Sequence, residues 1–248
     1  MRYFVEIAYK GKNYHGWQIQ PDSITVQEAL EGALSMLLRK KMEVTGAGRT
    51  DAGVHARQLF AHFDSEELLD VNDFIYRLNS FLPKDISVIN IFPVKDDTHA
   101  RFHAILREYQ YHIVLKKNPF LEDYAYFLHQ KPDVNLMNEA SKILLDYKDF
   151  QCFSRSKTDV KTYHCKIKKA YWEERDEQLI FTISADRFLR NMVRAIVGTL
   201  LDVGAGKTSL SNFHDIIKSK DRSKAGTSAP AHGLFLTKVE YPQDIYID

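Results

Sequence analysis

The sequence predicts an α+β protein built on a mostly antiparallel sheet. Period-two apolar segments, the mark of half-buried strands, come in adjacent runs and not singly between helices. Helical stripes fall between those runs. No Pro/Gly/Ser-rich linker, low-complexity tract or fixed-period repeat interrupts the 248 residues. Two lobes sharing one sheet and flanked by helices are therefore expected, residues 1–105 and 106–248, with the division near residues 100 to 110.

Each element has its own signal. Residues 2–9 alternate, with Tyr3, Val5, Ile7 and Tyr9 on one face. Thr25 and Glu28 form a capping-box pair. After them Val26, Ala29, Leu30, Ala33, Leu34, Leu37 and Leu38 make a helical stripe. A strand around residues 43–45 enters a glycine-rich loop, and QLFAHFD leaves it with Leu59, Ala61 and Phe63 alternating. Phe74, Leu78 and Phe81 mark a short helix that Pro83 ends. ISVINIFPV and REYQYHIVL read as strands, 136–147 as a helix, and HCKIKKAYWEE with QLIFTISADR as paired strands. Residues 188–203 make a strongly apolar helix stopped at Gly204. A shorter helix at 213–219 precedes the closing strand LFLTKVEY.

Composition narrows the class. The chain is 44% hydrophobic and 27% charged, ordinary for a soluble globular protein. No apolar run approaches the roughly 20 residues of a membrane span. The start, MRYFVEIAYK, lacks a signal-peptide core. Cys152 and Cys165 are too few for a disulfide framework, so the cytoplasm is the expected compartment. His99 and His103 stand four apart without an HExxH or a third ligand, which argues against a metal site. The formal net charge is only +1, but it is segregated. Residues 64–73 carry five acids and no base. Arg155, Lys157, Lys161, Lys166, Lys168 and Lys169 face one acid, Asp159, and Lys218, Lys220, Arg222 and Lys224 form a second run. Such segregation fits a basic face for a polyanion, and equally an ordinary solvated surface.

The stretch TGAGRTDAGVHARQ, residues 45–58, carries the chemistry. As a phosphate cradle it fails. Asp51 stands where the third glycine of a dinucleotide fingerprint belongs, no Lys-Ser or Lys-Thr follows, and the next element reads as a strand. What remains is a carboxylate held in a loop, with Gly48 and Gly53 bracketing residues 49–52, or an ordinary Asp in a Gly-rich turn.

Seven segments in order decide between those readings: YHGWQIQ, TVQEALEGAL, GAGRTDAGVHA, HARFHA, REYQY, FLRNMVRAIVG and APAHGLFL. Together they resemble the motifs of the TruA family of tRNA pseudouridine synthases over almost the whole chain. The third is highly specific; each of the others alone is weak. One departure is Thr98, where the family usually has phenylalanine before HARF.

The resemblance implies a pseudouridine-synthase fold with an active-site cleft between its lobes, a homodimer, and no cofactor or metal. It implies an isomerase that turns uridine into pseudouridine in the anticodon stem-loop of tRNA, at positions 38, 39 and 40. By motif position Asp51 is the catalytic aspartate, Arg194 its ion-pair partner, and Tyr109 the tyrosine that stacks on the target uracil and helps move the carbon 5 proton. Leu234 packs on the base, and Arg49 holds the nucleotide out of the helix. Each also has a plain reading: Tyr109 and Leu234 as core, Arg194 as a charge on the wet side of its helix, one turn from Arg190. A catalytically silent RNA-binding paralogue and a nucleotide-cofactor enzyme are the competing functions.

Overall fold

The computed structural model describes residues 1–68, 70–155 and 160–247. It divides into two compact units, Met1–Ile105 with Leu236–Asp248, and Leu106–Phe235. The C-terminal segment thus belongs to the first unit, whereas the sequence reading groups it with the second. Among the described residues no helix is long and apolar enough to cross a membrane.

In the first unit β1 (Arg2–Tyr9) leads to α1 (Val26–Leu38), β2 (Thr45–Gly46), β3 (His55–Asp64), α2 (Val71–Phe81) and β4 (Ile86–Val94). β1 lies between β3 and β4 and is antiparallel to both, with Val5 opposite Ala61 and Ile91. Ile7, Leu30, Leu34, Leu59 and Leu78 are fully buried. Phe4, Phe60 and Tyr241 form an aromatic cluster, with centroids 5.0 Å apart for Phe4–Tyr241 and 5.4 Å for Phe60–Tyr241. The Thr25 side chain caps α1 by accepting the Glu28 N–H at 3.3 Å. The strand expected at 43–45 shrinks to Thr45–Gly46. Side chains of α1 satisfy the Val44 backbone in its place: Glu31 accepts its N–H at 2.9 Å and Gln27 donates to its carbonyl at 3.0 Å.

The second unit holds β5 (Leu106–Val114), β6 (Tyr126–Phe127), α3 (Val134–Ile143), β7 (Ile167–Arg175), β8 (Gln178–Ala185), α4 (Met192–Gly204) and α5 (Leu210–Ser219). β8 lies between β5 and β7, antiparallel to both. The two-residue β6 runs parallel to β5 and is too short for any periodic signal. α3 starts at its Asp133 cap, whose carboxylate accepts the Asn135 and Leu136 N–H groups, and gives way to a tighter turn at Leu144–Asp146. α4 begins four residues later than its apolar run suggests. Asn191 at its N-cap is left-handed, φ 64°, and breaks the helix there. Arg190 therefore precedes α4 and Arg194 sits in its first turn, so the one-turn spacing read from the sequence does not exist. Both cysteines are free and buried, and burial pushes their thiols up to about 12. Last comes β9 (Leu234–Glu240). Its Val239 N–H donates to Gln58 Oε1 on β3 at 2.9 Å.

Candidate active site

The loop before β3 is clamped by backbone. Ala47 N–H donates to Phe60 O at 2.7 Å, and Val54 N–H to Asp51 O at 3.1 Å. A second segment, residues 14–17, grips it from the side. Gly53 N–H donates to Tyr14 O at 3.2 Å, and Trp17 N–H to Thr50 O at 3.4 Å. Two glycines make that grip feasible. Gly16 has φ +90° and Gly53 φ +79°, a region that costs any side chain strain. A Cβ on Gly16 would also collide with the Thr50 carbonyl oxygen. Gly48 has no positive φ and open space around it, so of the two bracketing glycines only Gly53 is required by the backbone.

Side chains complete the clamp. Thr50 is buried, and its Oγ1 is 2.8 Å from the Tyr9 hydroxyl at the end of β1. Tyr14 donates its hydroxyl to Asp85 at 2.6 Å, which ties residues 14–17 to the start of β4. Burial, and then that bond, push the Tyr14 phenol far above its ordinary range. His55, also buried, accepts the Gly11 N–H at 3.0 Å. With Thr50 turned inward, its neighbour Asp51 is left half-exposed and Arg49 exposed. The backbone of the loop is thus held on both sides, with Asp51 at a partly open surface. Tyr9, Thr50, Tyr14 and Asp85 were not among the predicted site residues. Their contacts span 41 and 71 residues, which no local pattern reveals.

The other three predicted residues stand on the second unit. Tyr109 lies on β5 and is half-buried, whereas Tyr111 and Ile113 on the same face are fully buried. The Phe188 ring meets Tyr109 edge-on at 5.2 Å and 90°. Arg194 is half-buried; its Nε donates to Ala229 O at 2.7 Å, and Ala229 N–H returns to Arg194 O at 2.9 Å. The Tyr111 hydroxyl donates to Pro230 O at 2.8 Å. The 229–234 segment therefore ties the start of α4 to β5 and delivers Leu234, which is buried. Burial also raises the Tyr111 phenol far above its ordinary range, with the Arg194 charge opposing.

The basic runs divide. Lys161, Lys166 and Lys168 are exposed, Lys169 is exposed but lies 3.7 Å from the Glu108 carboxylate, and Lys157 and Asp159 lie outside the described residues. In the second run Lys220 pairs with Asp149 at 2.8 Å, and Arg222 donates to Ala225 O, Gly226 O and Ser228 Oγ. Those two charges hold the chain to itself.

A sequence model described as tRNA pseudouridine synthase matches residues 6–103 and 140–242. A tRNA pseudouridine synthase A of Bacteroides fragilis is 56% identical over 247 residues, 99% of this chain and 98% of its own. That of Parabacteroides distasonis is 51% identical over 248 residues, 99% of this chain and 98% of its own. The Bacillus subtilis protein of the same name is 40% identical over 245 residues, 97% and 99% of the two chains. The chain belongs to the tRNA pseudouridine synthase family. The stretches matched by the tRNA pseudouridine synthase model contain Arg49, Asp51, Arg194 and Leu234, while Tyr109 falls between them.

Proposed function

We propose that this protein isomerises uridine to pseudouridine at positions 38, 39 and 40 of the tRNA anticodon stem-loop. The observation that carries this reading is the Asp51 loop, a half-exposed carboxylate on a backbone gripped from β3 and from residues 14–17. Breaking the glycosidic bond puts positive charge on the anomeric carbon, as in glycosidases. The Asp51 carboxylate either attacks that carbon or takes the proton of the neighbouring sugar carbon. The N1–C1′ bond breaks and the uracil turns; carbon 5 then bonds to C1′ as the Asp51–C1′ bond breaks, or as Asp51 returns the proton to the sugar carbon, and the base loses its carbon 5 proton to solvent while N1 takes one up. No oxidant, metal or energy source enters this balance.

In this reading Arg194 is the cation that keeps the carboxylate ionised against desolvation. Tyr109 stacks on the extruded uracil, its exposed portion being what separates it from Tyr111 and Ile113. Taking a base out of the stack costs a few kcal/mol, and an aromatic platform returns about 1–3 kcal/mol. Leu234 closes the base site, and Arg49 holds the nucleotide out of the helix. Lys161, Lys166, Lys168 and Lys169 contact the phosphate backbone. The enzyme works as a cytoplasmic homodimer.

Unmodified tRNA incubated with the protein, labelled with carbodiimide and read by primer extension tests this. Stops confined to positions 38 to 40 are expected. Absence of stops, or stops elsewhere in the tRNA, would refute the assignment.

A further inference from the structure

We propose that residues 98–104 present the Phe102 ring as a stacking surface for an unpaired tRNA base, separate from the site of the target uridine. The proposal rests on the tRNA reading above. Phe102 is 74% exposed, an unfavourable place for an aromatic ring left in water. The backbone that carries it is far from loose. The Ala100 N–H donates to His62 Nδ1 at 3.1 Å, and the Arg101 N–H to His99 Nδ1 at 3.1 Å. The His99 N–H donates to His103 Nδ1 at 2.8 Å, and the His103 N–H to His99 O at 3.0 Å. The Tyr241 hydroxyl donates to Ala100 O at 2.6 Å, and Arg2 Nη1 to Thr98 O at 3.0 Å. Thr98, the departure noted in the sequence, is buried at the foot of this loop.

The Nδ1 atoms of three histidines, His62, His99 and His103, thus accept backbone N–H groups of one short loop. His62 is suited to this, because burial and the Arg2 charge hold it down to about 4. The result is a rigid mount for an exposed ring. Its neighbours indicate what it meets. The His99 ring lies 4.3 Å from the Phe102 ring at 36°, and the Arg101 guanidinium carbon is 5.7 Å from its centroid. Residues 98–104 contain no acid; the exposed Asp96 and Asp97 precede them and face Arg2. An aromatic face framed by a guanidinium and an imidazole matches a base on an anionic backbone. A protein partner would be expected to find a broader apolar surround.

The position separates this surface from the uridine site. The Asp51 loop enters β3 at His55, and the Phe102 loop hangs from His62, about 23 Å further along the strand at 3.3 Å per residue. That is several nucleotides away, so the base it takes is one that flanks the target.

The test uses the full chain and unmodified tRNA. Phe102→Ala should weaken tRNA binding about fivefold or more in a filter assay, and Phe102→Tyr should restore it. Phe102→Trp should show fluorescence quenching that saturates with the tRNA binding curve, since Trp17 and Trp172 are buried. Sedimentation velocity on the same samples should show one unchanged mass. Unchanged affinity in Phe102→Ala, or no quenching in Phe102→Trp, would overturn the proposal. So would a change of oligomeric mass, which would make the ring and half-exposed Ile105 a contact between copies of the chain. Tritium release by the wild type keeps the two readings apart. If it is absent, the tRNA reading fails; if it is present while Phe102→Ala binds normally, only the stacking surface fails.

Discussion

Gly16→Ala probes the Asp51 loop without touching a polar group. At φ +90° an alanine backbone costs about 1–3 kcal/mol. The added methyl would also run into the Thr50 carbonyl oxygen, with Asp51 C only 3.2 Å away. Carbon contacts are comfortable near 3.5–4.0 Å, so relief requires the Thr50–Asp51 peptide to retreat by roughly 1 Å. Two effects follow. For a chain of this length about 1–3 kcal/mol lowers Tm by roughly 2–12 °C. A carboxylate displaced by roughly 1 Å lowers the rate about 100-fold, because reacting atoms must meet in a narrow geometry. Affinity for tRNA should stay the same, since the loop contributes one nucleotide's contacts to a much larger footprint. Single-turnover release of tritium from carbon 5, with filter binding and thermal melts on the same sample, reads all three quantities. A Gly16→Ala protein with wild-type rate and Tm would show that residues 14–17 do not fix the carboxylate.

Three further outcomes are expected. Tyr9→Phe and Thr50→Val should each cost about 0.5–1.5 kcal/mol in urea unfolding by removing one side of a buried hydroxyl pair, and the double variant should cost less than the sum of the two; simple additivity would deny the bond a role. The neutral His62, at about 4 in the fold against an ordinary 6.5, adds stability that is complete above pH 6.5 and is lost as pH falls from 6.5 towards 4. That loss is about 3 kcal/mol at most. His62→Gln should flatten the acid limb between wild-type pH 6.5 and 4, with Arg2, Asp64 and His99 the charged or titratable neighbours left facing the site. Lys166→Glu and Lys168→Glu should weaken tRNA binding and reduce its salt slope by about 0.7–0.9 each, while Lys220→Ala, which breaks the Asp149 pair, should leave that slope unchanged.

The strands and amphipathic helices were legible because burial imposes a period on the sequence. The β1 face at Tyr3, Val5 and Ile7 was readable for that reason, and the Thr25 cap because its side chain must serve a free N–H of the first turn. Boundaries set by one residue's backbone were not. Asn191 looks like part of an apolar helix until its left-handed φ is known, and α4 then begins after Arg190. β6 carries no period at two residues, and the Val44 backbone goes to α1 side chains instead of a strand. At the candidate site the composition of residues 45–58 left two readings open, a held carboxylate or an ordinary Asp in a Gly-rich turn. The bonds that brace the loop and its neighbour segment, Tyr9 with Thr50 and Tyr14 with Asp85, join residues far apart in the chain and leave no mark in the local sequence. The basic runs illustrate the opposite failure: Lys220 and Arg222 look free in the sequence and are spent on Asp149 and on nearby backbone.

In the function proposed above, residues 45–58 present one reactive carboxylate. Asp51→Asn tests it most directly, because the amide keeps the shape and loses the charge. The measurement is release of tritium from carbon 5 of uridine in unmodified tRNA, made beside filter binding on the same folded protein. Wild type should release tritium. Asp51→Asn should release none while binding tRNA as well as wild type or slightly better, an anion near the RNA backbone having been removed. Retained turnover by folded Asp51→Asn would contradict the assignment.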